Sequence, residues 1–547
     1  MIKKCPQLQV EVSKLNYPSL TFLSMKGVPF PILSIDEMGK VLGHASLGSL
    51  DIGGFPIPNY FSNPGRDDEI MLENIVCNHL SVGNNLEIEN VQKLVFLPKW
   101  FNQVLTKVEK LSIRKCGELL MLWKNNGRLH HSLQGLRHLE IETCRQVVSL
   151  FEGEEYENKG HEQQQQLEVL PGLEFLSIKQ CEKLEKLPQG LQNFMSLRDL
   201  IIHGCCNLVN FPEHNLPCTL RRLEIKQCDA LRWLPTWNAQ NSNLEELVVV
   251  CCESLEYLIP SSGGLPLTLK HLSINGCEKM FVLLQEEKGL VNLPCLEAFC
   301  ISSCKSLKFL PDANLNNNNG SNNLKRLTGF MVCNCGNLEH IPQAWFLLPT
   351  NLTNLEINYC EKLLLKDVFS NASLTCLKGL LIGRGIEVSC LRENGNSLSN
   401  LTKLYIGNVN TGMPPSEWGL HRLSSLEFLF LCGPIVIVES ELKQMEVDKK
   451  WSSFLFLGML LPTSLTDLCI HDFKNLKALS SQFQHLTSLE LLCIFHCPML
   501  ANFPKQGFPR SLFSLWINAC PKLKETCQKG KGKYWPLINL LPDVMIS

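Results

Sequence analysis

Twelve cysteines of this chain recur at one place in a repeated pattern: Cys116, Cys144, Cys181, Cys205, Cys228, Cys252, Cys277, Cys304, Cys335, Cys360, Cys497 and Cys520. Thiols in such number could hold a metal or carry redox chemistry. A structural zinc site gathers four ligands tetrahedrally, commonly from C-x-x-C pairs, and no C-x-x-C occurs. One thiol per repeat makes a ladder, not a cluster. The cysteines are therefore read as small buried side chains whose weak S–H donors satisfy turn carbonyls. The doublets Cys205-Cys206 and Cys251-Cys252 add one neighbour each and leave that reading unchanged.

Other chemistry has no better candidate. The KGKGK run at 529–533 lacks the G-x-x-x-x-G-K-[ST] spacing of a phosphate loop, and no G-x-S-x-G, kinase signature or H-E-x-x-H is present. His130-His131 and His471-Asp472 are the tempting polar pairs, but His471 directly follows Ile470 of a repeat and reads as a repeat-surface residue. No catalytic, cofactor or metal site is expected, and the chain is read as a non-enzyme. Of four glycosylation sequons, Asn319, Asn351, Asn371 and Asn400, the second and fourth merely set Asn beside the first Leu of a repeat followed by Thr.

The bulk numbers narrow the class. The 547 residues are 45% hydrophobic, enough for a large core, and carry a net charge of −2. That balance provides no basic field for nucleic acid. The longest apolar run, 454–461, is far short of a membrane span, and no signal-peptide run follows the first lysines. A cytoplasmic or nucleocytoplasmic protein without stable membrane insertion is expected. With no mark of secretion, the 26 cysteines do not read as a disulfide framework.

The element that must position the thiols is the repeat L-x-x-L-x-I-x-x-C-x-x-L. It is clear at Val108-Leu111-Ile113-Cys116-Leu119 and at Leu173-Leu176-Ile178-Cys181-Leu184. Copies without the cysteine start at Leu401, Leu426 and Leu465, and weaker ones lie near Leu20, Leu86 and Leu377. Leu and Ile two apart point the same way in a short strand, and stacked copies bury what one copy cannot. The predicted fold is an α/β solenoid, a leucine-rich-repeat horseshoe. Its parallel sheet lines the concave face, with irregular loops, turns and short helices on the convex side. Residues 1–105 read as degenerate repeats that start mid-repeat, 106–370 as regular repeats and 371–463 as irregular repeats with an insertion. Residues 464–525 read as C-terminal repeats and 526–547 as a tail. The polar stretch 152–166 and the asparagine-rich stretch 314–323 are predicted to be mobile.

The outward residue between Leu and Ile forms a column from Ser112 to Trp516. Its second half turns apolar and aromatic. Met331, Leu381, Tyr405, Phe430 and Trp516, with Phe495 from the next column, are the candidate protein-binding residues. The alternative is that insertions or the tail fold over them.

Many repeats close on C-x-x-L-x-x-L-P, as at Leu187-Pro188, Leu234-Pro235 and Leu310-Pro311, and several open on L-P-x-x-L, as at Leu216–Leu220. The tail carries Cys520-Pro521, Cys527, Trp535-Pro536 and Pro542. Together these resemble the leucine-rich-repeat region of plant coiled-coil NB-ARC (NLR) disease resistance proteins, over nearly the whole chain and least over residues 1–105. The resemblance implies a defence receptor whose repeats sense a pathogen effector or guarded host protein and restrain an NB-ARC domain switching between ADP and ATP. This chain carries no phosphate loop, so ADP or ATP would bind only in an upstream NB-ARC domain. Ile470-His471-Asp472 is similar to that family's M-H-D motif but falls on a repeat strand, so its role is not carried over. The repeat arm of an F-box adaptor, or a stand-alone or extracellular repeat protein, is the alternative. Regular 26-residue units or N-x-L-x-G-x-I-P closures would mark those classes.

Overall fold

The computed structural model describes residues 84–90, 94–97, 108–123, 133–151, 170–188, 190–211, 216–234, 241–258, 264–283, 290–313, 323–363, 374–383, 388, 391–392, 398–407, 410–411, 415–433, 436–437, 460–479, 481–504 and 506–547. Before these it describes only the backbone of strands Ile2–Lys3, Phe22–Lys26, Leu47–Gly53 and the start of Val82–Glu89. The stretch 152–166, residues 314–322, most of the insertion before 460, and His130-His131, Asn319 and Asn371 lie outside the described residues. The chain forms two compact units, 1–287 and 288–547.

Alternation along an extended backbone builds every turn of the first unit. The L-x-I segments are five-residue strands: Lys110–Arg114, His138–Glu142, Phe175–Lys179, Asp199–His203, Arg222–Lys226, Glu246–Val250 and His271–Asn275. In each, the second and fourth residues are buried and the ends are not. Neighbours pair in parallel without register shift. Leu111, Leu139, Leu176, Leu200, Leu223, Leu247 and Leu272 therefore form one file, and Ile113 through Ile274 a second. These files are the core, and full burial of each Leu or Ile is worth roughly 1.5–3 kcal/mol.

The second unit repeats the scheme in strands Ala298–Ser302, Gly329–Cys333, Asn354–Asn358, Gly379–Ile382, Lys403–Gly407, Phe428–Cys432, Asp467–His471, Leu491–Phe495 and Ser514–Asn518. At the leucine position Phe299 and Phe330 substitute, their rings 5.2 Å apart. Trp345, on the short helix Ala344–Leu347, packs on both, and its indole N–H donates to the Pro311 carbonyl at 2.9 Å. The expected parallel-strand solenoid is the observed fold. Away from the strands run short turns, such as the 3-10 segment Leu191–Asn193, and a small parallel pair, Leu290–Val291 with Asp312–Ala313.

Two rungs lie outside the recognised repeats. The strand Leu47–Gly53 holds Leu47, Leu50 and Ile52 in the full L-x-x-L-x-I spacing and pairs on both sides. The tail is also part of the solenoid. Helix Pro521–Thr526 starts directly after the last repeat strand, and Asp543–Ile546 pairs in parallel with Ser514–Asn518 as a further rung.

After most of these strands the backbone turns through a left-handed residue. Lys115, Thr143, Gln180, Gln227, Cys251, Ser303, Asn334, Tyr359, Asp472, His496 and Ala519 have φ between 51° and 56°, and Gly204 and Gly276 do the same at 68°. The turn aims the N–H of that residue at the next strand, as in Lys115 to Glu142 O at 2.9 Å and Asp472 to Phe495 O at 3.0 Å. The cysteine follows one residue later, except after Asp472, where Phe473 takes its place.

Candidate functional site

All twelve repeat cysteines are buried. Each Sγ points back toward the carbonyl two residues earlier: Cys181 to Lys179 O at 3.5 Å, Cys228 to Lys226 O at 3.5 Å, Cys335 to Cys333 O at 3.4 Å. Some also reach the adjacent repeat, as Cys360 does to Val332 O at 3.7 Å. Burial pushes the Cys181 and Cys205 thiols up to about 12, so they stay protonated and are poor nucleophiles. Among the described residues no group of three or more His, Cys, Asp or Glu could hold a metal ion.

The outward column is not uniformly exposed. Ser112, Ser177, Glu224, Cys469 and Cys493 are buried, which departs from the expectation of a solvent-facing file. Longer neighbours close over the short side chains. Ser112 donates to Glu140, which also takes Lys110 at 2.8 Å and Arg114 at 3.2 Å. Arg114 in turn reaches Glu87 at 2.6 Å and Glu142 at 3.2 Å. Farther along the first unit, Arg222 and Lys226 clasp Glu224. Burial opposes ionisation of both carboxyls, but Lys110, Ser112 and Arg114 hold Glu140, and Lys226 and Arg222 hold Glu224, below the usual range.

In the second unit the same positions carry rings. Tyr405 lies 5.1 Å from Phe428 and 5.8 Å from Phe430. Phe430 stacks on His471 at 5.9 Å, and His471 meets Phe495 at 6.4 Å and His496 at 5.1 Å. Parallel register produces these contacts, since Tyr405 faces Phe430 and His471 faces Phe495 across adjacent strands. Burial, then His496, lowers the His471 pKa, leaving the ring neutral at neutral pH.

Of the sequence candidates, the structure brings Tyr405, Phe430 and Phe495 into this half-buried platform. Phe428, His471 and His496 complete it and were not among the candidates. Phe428 was legible as the first residue of a strand beside Tyr405. Trp516 stands apart beyond the buried Cys469 and Cys493, its indole N–H donating to Asp543 at 2.9 Å. Met331 lies nearer the other end, its sulfur 3.3 Å from Cys300 Sγ, and Leu381 separates Glu356 from Tyr405 in the file.

Beside the platform, the residues preceding the strands line a trough of about 920 Å³ that includes Thr353, Thr402, Glu427 and Thr466. Its hydroxyls donate to backbone of the previous repeat, Thr353 to Thr328 O at 3.0 Å and Thr466 to Glu427 O at 3.0 Å. The sequon residues Asn351 and Asn400 likewise donate to Lys325 O and Thr375 O. Their N-x-T pattern thus has a structural use in joining repeats.

Residues 85–229 match the family model described as plant disease resistance protein RPS2-like, leucine-rich repeats. Over that stretch the repeats are similar to those of plant disease resistance proteins. A disease-resistance-named protein of Arabidopsis thaliana is 27% identical over 377 residues, 68% of this chain and 23% of its own length. Disease resistance protein RPS6 of the same plant is 25% identical over 252 residues, 42% of this chain and 19% of its own. The chain therefore spans about a quarter or less of the length of those relatives. Among solved structures, the leucine-rich repeat domain of the type III effector XopL is 20% identical, covering 46% of this chain and 75% of that one with a TM-score of 0.29. No helix among the described residues is long and apolar enough to cross a membrane.

Proposed function

We propose that the chain is the protein-recognition part of an intracellular plant immune receptor. Its ligand is a pathogen effector or a guarded host protein, and the ring platform of the second unit is where that ligand docks. Continuous ring contact from Tyr405 through Phe430 to Phe495 carries this reading. Aromatic side chains supply large contact area at low entropic cost and dominate interface hot spots. The repeats supply recognition, and any ADP or ATP switch belongs to an NB-ARC domain with which they pair. No residue here is assigned a catalytic role.

The test is co-precipitation of partner proteins from infected leaf tissue with wild type and with Tyr405→Ala/Phe430→Ala, after circular dichroism shows the fold intact. Loss of the partner from the double variant supports the platform. Retention at wild-type level rejects it.

A further inference from the structure

We infer that the aromatic face of residues 403–547 receives a cationic protein segment, one that presents arginine or lysine side chains to the rings. The inference rests on the docking role proposed above and names the chemistry of what docks. On the strands from Lys403–Gly407 to Asp543–Ile546, and the residue preceding each, the acidic groups are Glu427, Asp467, Glu490 and Asp543, whereas Lys403 is the one lysine or arginine. Among the described residues none of these four carboxylates is ion-paired; Arg392 pairs with Glu417 in the second unit, off these strands.

The first unit does the opposite. There Arg114 takes Glu87, Glu140 and Glu142, and Lys270 and Arg221 take Glu245. A face that neutralises its own carboxylates offers little to a charged partner. The second unit gives these four no countercharge: Asp467 accepts from Thr466 and Asp543 from Ser514 and Trp516, but among the described residues no lysine or arginine reaches them. Glu427 precedes Phe428, whose ring rests on Tyr405, and Asp467 sits opposite Phe428 in the next strand. Exposed Glu490 follows, then Asp543 opposite Ser514. Ring faces attract a cation through their quadrupole, and a carboxylate at the ring edge accepts its N–H donors. A guanidinium meets both demands at once, being planar and weakly hydrated. The same charges repel the phosphates of a nucleic acid.

The test uses the full chain and three labelled decapeptides, alternating Arg-Ser, Lys-Ser and Glu-Ser, titrated by fluorescence anisotropy at low and high salt. The arginine peptide is expected to bind most tightly, the lysine peptide less so, the glutamate peptide not at all, with affinity falling as salt rises. Glu427→Gln/Asp467→Asn/Glu490→Gln should weaken the arginine peptide about tenfold, whereas Glu246→Gln in the first unit should leave it unchanged. Near-UV dichroism checks that the triple variant is folded, and the salt dependence of the wild type tests the same point without any variant. Equal binding of the glutamate peptide, or indifference to the triple variant, overturns the inference. The leaf-tissue co-precipitation separates the two levels. If the ring variant loses the partner and the triple variant keeps it, the docking role stands and the cationic segment falls.

Discussion

The backbone N–H of Cys497 donates to the sulfur of Cys520 at 3.3 Å, and the Cys520 thiol donates onward to the carbonyl of Ile494 at 3.6 Å. One side chain thus ties together two successive repeats. Cys520→Ala should leave the Cys497 N–H buried without a partner, which costs about 1–3 kcal/mol. Urea unfolding followed by far-UV dichroism measures it, and an unchanged midpoint would contradict a tying role.

Thiol labelling follows from the same geometry. Cys206, Cys218, Cys251 and Cys376 are exposed, whereas the ladder thiols are buried. Iodoacetamide on the native chain should modify those four well before Cys181 or Cys205, whose ionisation burial suppresses. Mass spectrometry with and without denaturant gives the order. Early modification of Cys181 would show that the core opens readily.

A third expectation concerns the left-handed turn. Ala519 holds φ at 51° with no side-chain hydrogen bond to offset the strain, and it is exposed. The left-handed region costs a non-glycine residue roughly 1–2 kcal/mol, partly offset by the backbone entropy that glycine loses. Ala519→Gly should therefore stabilise by about 0.5–1 kcal/mol. In reverse, Gly204→Ala should destabilise by about 1 kcal/mol, since the added Cβ meets Gln180 at an ordinary 3.5 Å and only φ is penalised. Thermal melts of both variants decide it, and a lower melting point for Ala519→Gly would refute the strain argument.

The position of that turn shows what sequence could and could not disclose. Leu-x-Ile alternation and the cysteine column fix strand, register and turn, because each follows from which side of the backbone must be buried. Gly204, Gly276 and Asn334 at the turn were a readable signal for positive φ, although lysine, glutamine and tyrosine at the same place obscured it. Asp543–Ile546 keeps most of the repeat, since Leu541, Val544 and Ile546 have the L-x-x-L-x-I spacing with Val at the second Leu. No cysteine turn follows to mark it, and its docking on Ser514–Asn518 is what shows it as a rung. The ring platform was half legible. Periodicity placed Tyr405 and Phe430 on one side, but the closure of neighbours over Cys469 and Cys493, which isolates Trp516, depends on side-chain lengths across strands.

Acid should destabilise the first unit through its carboxylates. Glu140 and Glu224 have folded pKa values below the ordinary 4.5 despite the opposing effect of burial. A depressed folded pKa gives stability that is present above the unfolded value and is lost as pH falls through the folded one. The melting temperature should thus hold from neutral pH to about 5 and drop below about 4.5. Glu140→Gln/Glu224→Gln should melt lower at pH 7 and show a shallower acid decline. An acid limb as steep as that of wild type would place the titrating groups elsewhere.

The last rung hangs on one carboxylate. Asp543 Oδ2 accepts from Ser514 Oγ at 3.0 Å and from Trp516 Nε1 at 2.9 Å, pinning the tail strand to the last repeat. The strand has little else to hold it by side chain, since Met545 is 58% exposed and Val544 and Ile546 are only half-buried. Asp543→Ala removes both bonds and leaves the indole N–H unpaired, a loss of about 1–3 kcal/mol. Because a solenoid's repeats contact mainly their neighbours, the damage should stay local. Hydrogen exchange should quicken at residues 544–546 and across Ser514–Asn518, while the strand Lys110–Arg114 keeps its protection. Uniform loss of protection along the chain would mean that the tail rung supports the whole fold.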